Sequence, residues 1–165
     1  MFDRIQSLLS QEFPNEEFTE IENCHPRGLV IPKDRLIEIS QCLHSNKETY
    51  FDQLTSISGV DNGIEQDSME VIYHLYSIPN NESLTLKVII DRSNPEVDSV
   101  TSIWRGANWH EREAFDLFGI RFNNHPDLRR ILLPADWEGF PMRKNHDESE
   151  SYHGMKIKHP DVESE

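Results

Sequence analysis

LTSISGVDNGIEQDSMEVIYHLYSIPNNESLTLKVIID, residues 54–91, holds three β-forming runs separated by two turns. Leu54 to Val60 is rich in β-branched residues and runs into Asp61-Asn62-Gly63, a strong turn signal. Met69 to Ile78 is the second run, with aromatics at Tyr73 and Tyr76, and Pro79-Asn80-Asn81 turns the chain again. In Ser83–Asp91, Leu84, Leu86, Val88 and Ile90 alternate with Thr85, Lys87 and Ile89, the period of two of a half-buried strand. Short turns between three such runs predict an antiparallel meander with one face on the core.

The flanks supply what covers that face. Phe2, Ile5, Leu9 and Phe13 recur at helical spacing and predict an amphipathic helix that Pro14-Asn15 ends. Glu16 to Pro26 reads as loop or a weak edge strand, and Gly28 to Ile31 as a short buried strand. Pro32 opens a second helix whose Leu36, Ile39 and Leu43 share a face, closed at Ser45-Asn46. Ser93-Asn94-Pro95 breaks the sheet, and Val97, Val100, Ile103 and Trp104 predict a short helix ending before Gly106. The fold class is therefore α+β: a two-layer sandwich of an antiparallel strand meander with helices on one face, plus an extended C-terminal arm. The domain spans 1–134. Residues 135–165 form a partner-binding arm and an acidic tail that loses regular periodicity and takes order from a partner.

Composition narrows the chemistry. The 165 residues are enough for one domain with a real core, and they carry a formal net charge of −14. That sign argues against nucleic acid and against an anionic lipid surface. No apolar run approaches the roughly 20 residues of a membrane-spanning helix, and Met1-Phe2-Asp3-Arg4 does not begin a secretory signal. Cys24 and Cys42 are isolated, which suits a reducing compartment and leaves an iron–sulfur cluster without its four ligands. Gly59 and Gly63 flank a turn and open no helix, so no phosphate-binding loop is present.

Residues 108–144 are the densest in aromatics and paired charges. Asn108 and Glu111 have the spacing of a capping box, and Gly119 the place of a left-handed helix stop. At 100° per residue, Glu111, Ala114, Phe115, Leu117 and Phe118 fall on one side, and Trp109, Arg112, Glu113 and Asp116 on the other. On this reading Glu111 caps the buried side, Arg112 pairs with Asp116 on an exposed charged face, and Trp109 is an interface anchor among charges. His110-Glu111 begins like a zinc-protease helix, but Ala114 stands where the second histidine belongs. Glu111 and Glu113 diverge by about 200° and do not converge as a glycosidase pair. The eight histidines are scattered without ligand spacing. Beyond His125-Pro126-Asp127, the basic residues Arg129, Arg130, Arg143 and Lys144 interleave with Trp137, Phe140, Pro141 and Met142, a composition suited to lying on another protein.

EREAFDLFGIRFNNHPDLRRILLP (111–134), followed by DWEGFPMRK (136–144), resembles the signature of the 30 kDa subunit family of respiratory complex I, the C subunits of NADH–quinone oxidoreductases. Glu111, Arg112, Glu113, Asp116, His125, Asp127, Arg129 and Arg130 match that signature position by position. Phe115 stands where the family often has Trp, Asn124 where Gly is frequent, and Asn145-His146 where an acidic–aromatic pair is usual. The resemblance implies a structural peripheral-arm subunit of a proton-translocating enzyme, with no catalytic, cofactor-binding or metal residue of its own. It implies that FMN, iron–sulfur clusters and quinone belong to partner subunits. It further implies docking on the large quinone-site subunit and other peripheral-arm subunits, at the cytoplasmic face of the inner (cell) membrane without a span. Trp109, Trp137, Arg143 and Lys144 join the signature residues as the expected interface set. The equivalent subunit of a membrane-bound hydrogenase, or of a ferredoxin- or F420-linked complex, is the alternative. A stand-alone hydrolase using Glu113 and His125 is the reading from a different class.

Overall fold

The meander is present with the expected turns. In the computed structural model, which describes residues 2–146 and 151–156, α1 (Phe2–Glu12) leads to β1 (Thr19–Glu20), β2 (Gly28–Val30) and α2 (Leu36–Ser45). Then follow β3 (Gln53–Asp61), β4 (Ser68–Ser77), β5 (Glu82–Asp91), β6 (Glu96–Asp98), α3 (Ala107–Phe118) and β7 (Arg121–Asn123). A short antiparallel pair, β8 (Ser151–Tyr152) and β9 (Met155–Lys156), lies within the stretch expected to be irregular. The rest of that tail, residues 147–150 and 157–165, lies outside the described residues.

β3, β4 and β5 pair antiparallel, from Asp61↔Met69 on one side to Ser77↔Glu82 on the other. The sheet then continues beyond the meander. β2 joins β5 in parallel and β1 closes the edge, giving the order β1-β2-β5-β4-β3. Gly28 is required at that junction, because a Cβ there would sit 2.8 Å from Thr85 Cβ. The α+β class therefore stands, with a mixed five-stranded sheet that is not closed into a barrel.

Alternation sets the two faces. Met69, Val71, Tyr73 and Leu75 of β4 and Leu84, Leu86, Val88 and Ile90 of β5 are buried, and Ile89 points out half-exposed. Ile5 and Leu9 of α1, Leu36, Ile39 and Leu43 of α2, and Ala107 and Ala114 of α3 complete one contiguous core. Each fully buried large apolar side chain here contributes about 1.5–3 kcal/mol relative to exposure.

One expected helix is absent. Val97 lies in β6, which pairs in parallel with β7 (Val97↔Phe122), and residues 99–106 form turns. Val100 and Trp104 are buried, but as turn residues: the Ile103 and Trp104 amides both donate to the Val100 carbonyl. The three-residue apolar spacing came from a strand running into a turn. Trp104 is pinned further by its Nε1–H, which donates to the Phe51 carbonyl at 3.0 Å.

Candidate functional site

The signature begins on α3, and its first carboxylate is not a cap. The helix starts two residues earlier than the capping-box spacing predicts, with Gly106 in place of Asn108 at the N-cap position and no side-chain cap bond. Glu111 instead points into the core, fully buried, where Oε2 accepts from Ser99 Oγ at 2.6 Å and Oε1 from the Val100 amide at 2.8 Å. It thereby ties α3 to the turn after β6. Burial raises its carboxyl, outweighing the Ser99 and Val100 hydrogen bonds that lower it, to a pKa of about 7.

His125 approaches the same carboxylate, with Nε2 at 3.9 Å from Glu111 Oε2. Its Nε2 faces the Asn108 carbonyl at 3.2 Å, and its Nδ1 accepts the Asp127 amide at 3.0 Å. That pattern assigns the neutral Nε2–H tautomer. Burial lowers the imidazole pKa, which agrees with the neutral form. Both ring nitrogens are engaged in holding the β7–arm turn, so His125 does not present a free base beside Glu113, which is exposed.

A pH dependence follows from Glu111. The folded carboxyl holds its proton up to about pH 7, whereas 4.5 is its unperturbed value. This contribution to stability is complete below the unfolded pKa and is lost as pH rises through the folded one. Urea unfolding is expected to show stability falling by about 2 kcal/mol between roughly pH 5 and pH 8, relative to a Glu111→Gln chain. Parallel stability–pH curves for the two chains would refute the assignment.

The opposite side of α3 is not an exposed charged face. Arg112 and Asp116 are both buried, and they do not pair. Residues 129–133 wrap over that side and take both partners. Arg112 Nε donates to the Arg129 carbonyl at 3.2 Å, and its guanidinium lies over the Trp109 ring at 5.2 Å. Asp116 Oδ2 accepts three consecutive amides, from Ile131, Leu132 and Leu133 at 3.0, 2.7 and 2.9 Å. Arg130 completes the knot, its Nη1 donating to Asp116 Oδ1 at 2.8 Å. Burial pushes the Asp116 carboxyl up, yet the bonds from Leu133, Arg130, Leu132 and Ile131 together bring it below its usual value.

The segment after Pro134 returns to the body. Gly119 closes α3 at φ +73°, and Phe140 packs where its Cβ would be: a side chain there would meet Phe140 Cε2 at 2.5 Å. Phe140 meets Phe115 edge-on, with the guanidinium groups of Arg130 and Arg143 each about 5 Å from its ring centre. Arg143 Nε donates to the Phe118 carbonyl at 2.7 Å, and the Met142 amide to that of Leu117 at 3.1 Å. The Lys144 amide donates to Asp61 Oδ2 at 2.9 Å. Asp61 also holds Arg92 in a two-pronged pair at 2.7 and 3.0 Å and accepts the Gly63 amide at 2.9 Å. Of the basic group, Arg130, Arg143 and Lys144 are thus engaged within the chain.

What remains outside is shorter. Trp109, Glu113, Asp127 and Arg129 are exposed, the last two joined at 2.9 Å. Trp137 is half-buried, its amide donating to the Pro134 carbonyl. Asp61, Arg92 and Ser99 escaped sequence reasoning; Asp61 was legible only as a turn residue. Among the described residues no group of three or more histidines, cysteines or carboxylates has the arrangement of a metal site. No described helix is long and apolar enough to cross a membrane.

The family described as respiratory-chain NADH dehydrogenase, 30 Kd subunit, matches residues 29–152, which includes every tie just described. The chain belongs to this family. It is 46% identical over 118 residues to the NADH-quinone oxidoreductase C subunit from Roseiflexus sp. (strain RS-1), covering 72% of this chain and 68% of that one. A C subunit from Rhizobium etli (strain CIAT 652) is 47% identical over 116 residues, and there the match spans 62% of the relative's length. Over nearly the whole chain, 92%, it is 38% identical to the C subunit from Chlorobium phaeobacteroides and covers 95% of it. Among solved structures, the trypsin-resistant fragment (1-134) of Nqo5 superposes with a TM-score of 0.62 at 28% identity, covering 77% of this chain and 98% of the fragment. A chain of the archaeal membrane-bound sulfane sulfur reductase shares the fold, with a TM-score of 0.70 at 22% identity over 88% of this chain and 85% of that one.

Proposed function

We propose that this family member is a structural, cofactor-free peripheral-arm subunit of a proton-translocating NADH–quinone oxidoreductase, docked on the large quinone-site subunit. The observation that carries the reading is how the signature charges are spent. Glu111, Arg112, Asp116, His125, Arg130 and Arg143 each bond to this chain's own backbone or side chains. Groups bound in this way shape a surface and are not free to move protons to a substrate. The returning arm, Trp137–Lys144, is bonded to the end of α3 and leaves Met142 exposed, and Leu132 of the preceding wrap is exposed as well, apolar surface suited to a partner. FMN, iron–sulfur clusters and quinone are then carried by the partner subunits, and the assembly lies on the cytoplasmic face of the membrane.

Affinity purification of the tagged chain from detergent-solubilised membranes tests this. Mass spectrometry is expected to find a large quinone-site subunit and a flavin-binding NADH subunit in stoichiometric amounts. The isolated chain should show no flavin or cluster absorbance. A nickel-binding large subunit in place of these would move the chain to a hydrogenase-type complex, and a stoichiometric cofactor on the isolated chain would refute the structural role.

A further inference from the structure

A shallow groove of about 640 Å³ lies between the turn after β6, the start of α3 and the turn after β7, lined by Thr101, Ser102, Arg105, Asn108, Trp109, Asn124 and Pro126. Its lining contains no acid, in a chain with 30 acidic and 16 basic residues. Arg105 is exposed and, among the described residues, has no ion-pair partner, whereas Arg4, Arg27, Arg35, Arg92, Arg121, Arg129 and Arg130 each have one. Trp109 is 64% exposed, yet it is not loose: the buried Arg112 guanidinium stands over its ring and orders it. A large aromatic held in place beside an unpaired arginine is the composition of an interface hot spot. The start of α3, without a side-chain cap, adds the positive end of the helix to the same groove.

We propose that this groove is a docking site for an extended acidic segment of a partner subunit, with a carboxylate on Arg105 and an apolar or proline side chain against Trp109. Charge selects the partner. A chain of net charge −14 repels acidic proteins over most of its surface, so a cationic, acid-free groove fixes where an acidic segment can lie and in which register. The groove is open along one side, which suits a segment laid across it better than an enclosed small molecule. It lies apart from the arm's own ties at Phe140, Arg143 and Lys144, so it is a second contact region in addition to the arm.

The inference rests on the reading of the chain as a subunit of a complex, and the experiment separates the two. A photo-crosslinking amino acid is placed at Ser102 of the full chain, expressed in its membranes, and the cross-linked peptide is sequenced by mass spectrometry. Arg105→Glu, Arg105→Lys and Trp109→Ala chains are purified from membranes in parallel, with circular dichroism confirming their fold. The expected cross-link is to an Asp/Glu-bearing peptide of another polypeptide. Arg105→Glu and Trp109→Ala should lower recovery of the complex by about tenfold or more, and Arg105→Lys by no more than about threefold. A cross-link to residues 157–165 of this chain, to a second copy, or to a neutral or basic peptide overturns the proposal. So does full recovery with Arg105→Glu while the wild type recovers its partners; the subunit reading then survives. If the wild type recovers no partner, both fall.

Discussion

Replacing Asp116 by alanine is expected to lower the unfolding free energy by about 3–5 kcal/mol, the range for removing one partner of a buried charge pair. Its carboxylate is fully buried and accepts three successive amides as well as Arg130. The alanine leaves those three amide donors without an acceptor and takes the carboxylate from a largely buried guanidinium, which keeps only the carbonyls of residues 116 and 139; each orphaned donor alone costs about 1–3 kcal/mol. Equilibrium urea unfolding checks the magnitude. Hydrogen exchange checks the mechanism: the amides of Ile131, Leu132 and Leu133 should lose protection before the sheet does. A loss under about 1 kcal/mol would mean that the wrap over α3 has other acceptors and that Asp116 does not hold it. Because the folded carboxyl is held below its usual value, its contribution is present above the unfolded pKa and fades as pH falls.

Asp61→Ala comes next in size, at about 3 kcal/mol or more by the same argument. The Asp61 side chain is 1% exposed and its partner Arg92 10%, so water replaces little of what is lost. The Arg92 guanidinium and the hydrogen bonds from the Gly63 and Lys144 amides hold the Asp61 carboxyl well below the usual carboxylate range, although burial opposes them. Here too the stabilisation is lost on acidification. Asp61 joins three distant pieces of chain: the end of β3, the residue after β5, and the returning arm at Lys144. Asp61→Ala should therefore deprotect the Lys144 amide and raise the susceptibility of the arm to protease. An arm that stays protected in this variant would assign its order to Phe140 and to the bonds of Met142 and Arg143 to the end of α3.

The sheet was legible because its information is local. The period of two in Ser83–Asp91 and the turn residues at 61–63 and 79–81 state strand, face and connection within one stretch. Gly119 was legible for the same reason, a left-handed stop directly after an apolar helical pattern. The α3 face carrying Arg112 and Asp116 was not. Their spacing is equally that of a solvent-exposed pair, and what buries them is the backbone of residues 129–133, whose amides carry no residue-type signal. Likewise the parallel pairing of Glu96 with Arg121 joins segments too distant in sequence for periodicity to report. Val97 and Val100 are buried, but in a strand and a turn, not in the helix that their spacing predicts. The basic residues of the arm were read as facing outward, because composition does not show that Arg130, Arg143 and Lys144 are claimed by their own chain.

The central claim is that the signature builds a shape and performs no chemistry. It is tested most directly by NADH–quinone reductase turnover, measured per mole of assembled complex, in membranes carrying Glu111→Gln, Glu113→Gln or Asp116→Asn. The account predicts turnover within about twofold of wild type for every complex that assembles, with Asp116→Asn reducing only how much assembles. Normal amounts of assembled complex with turnover lost in any of the three would contradict it.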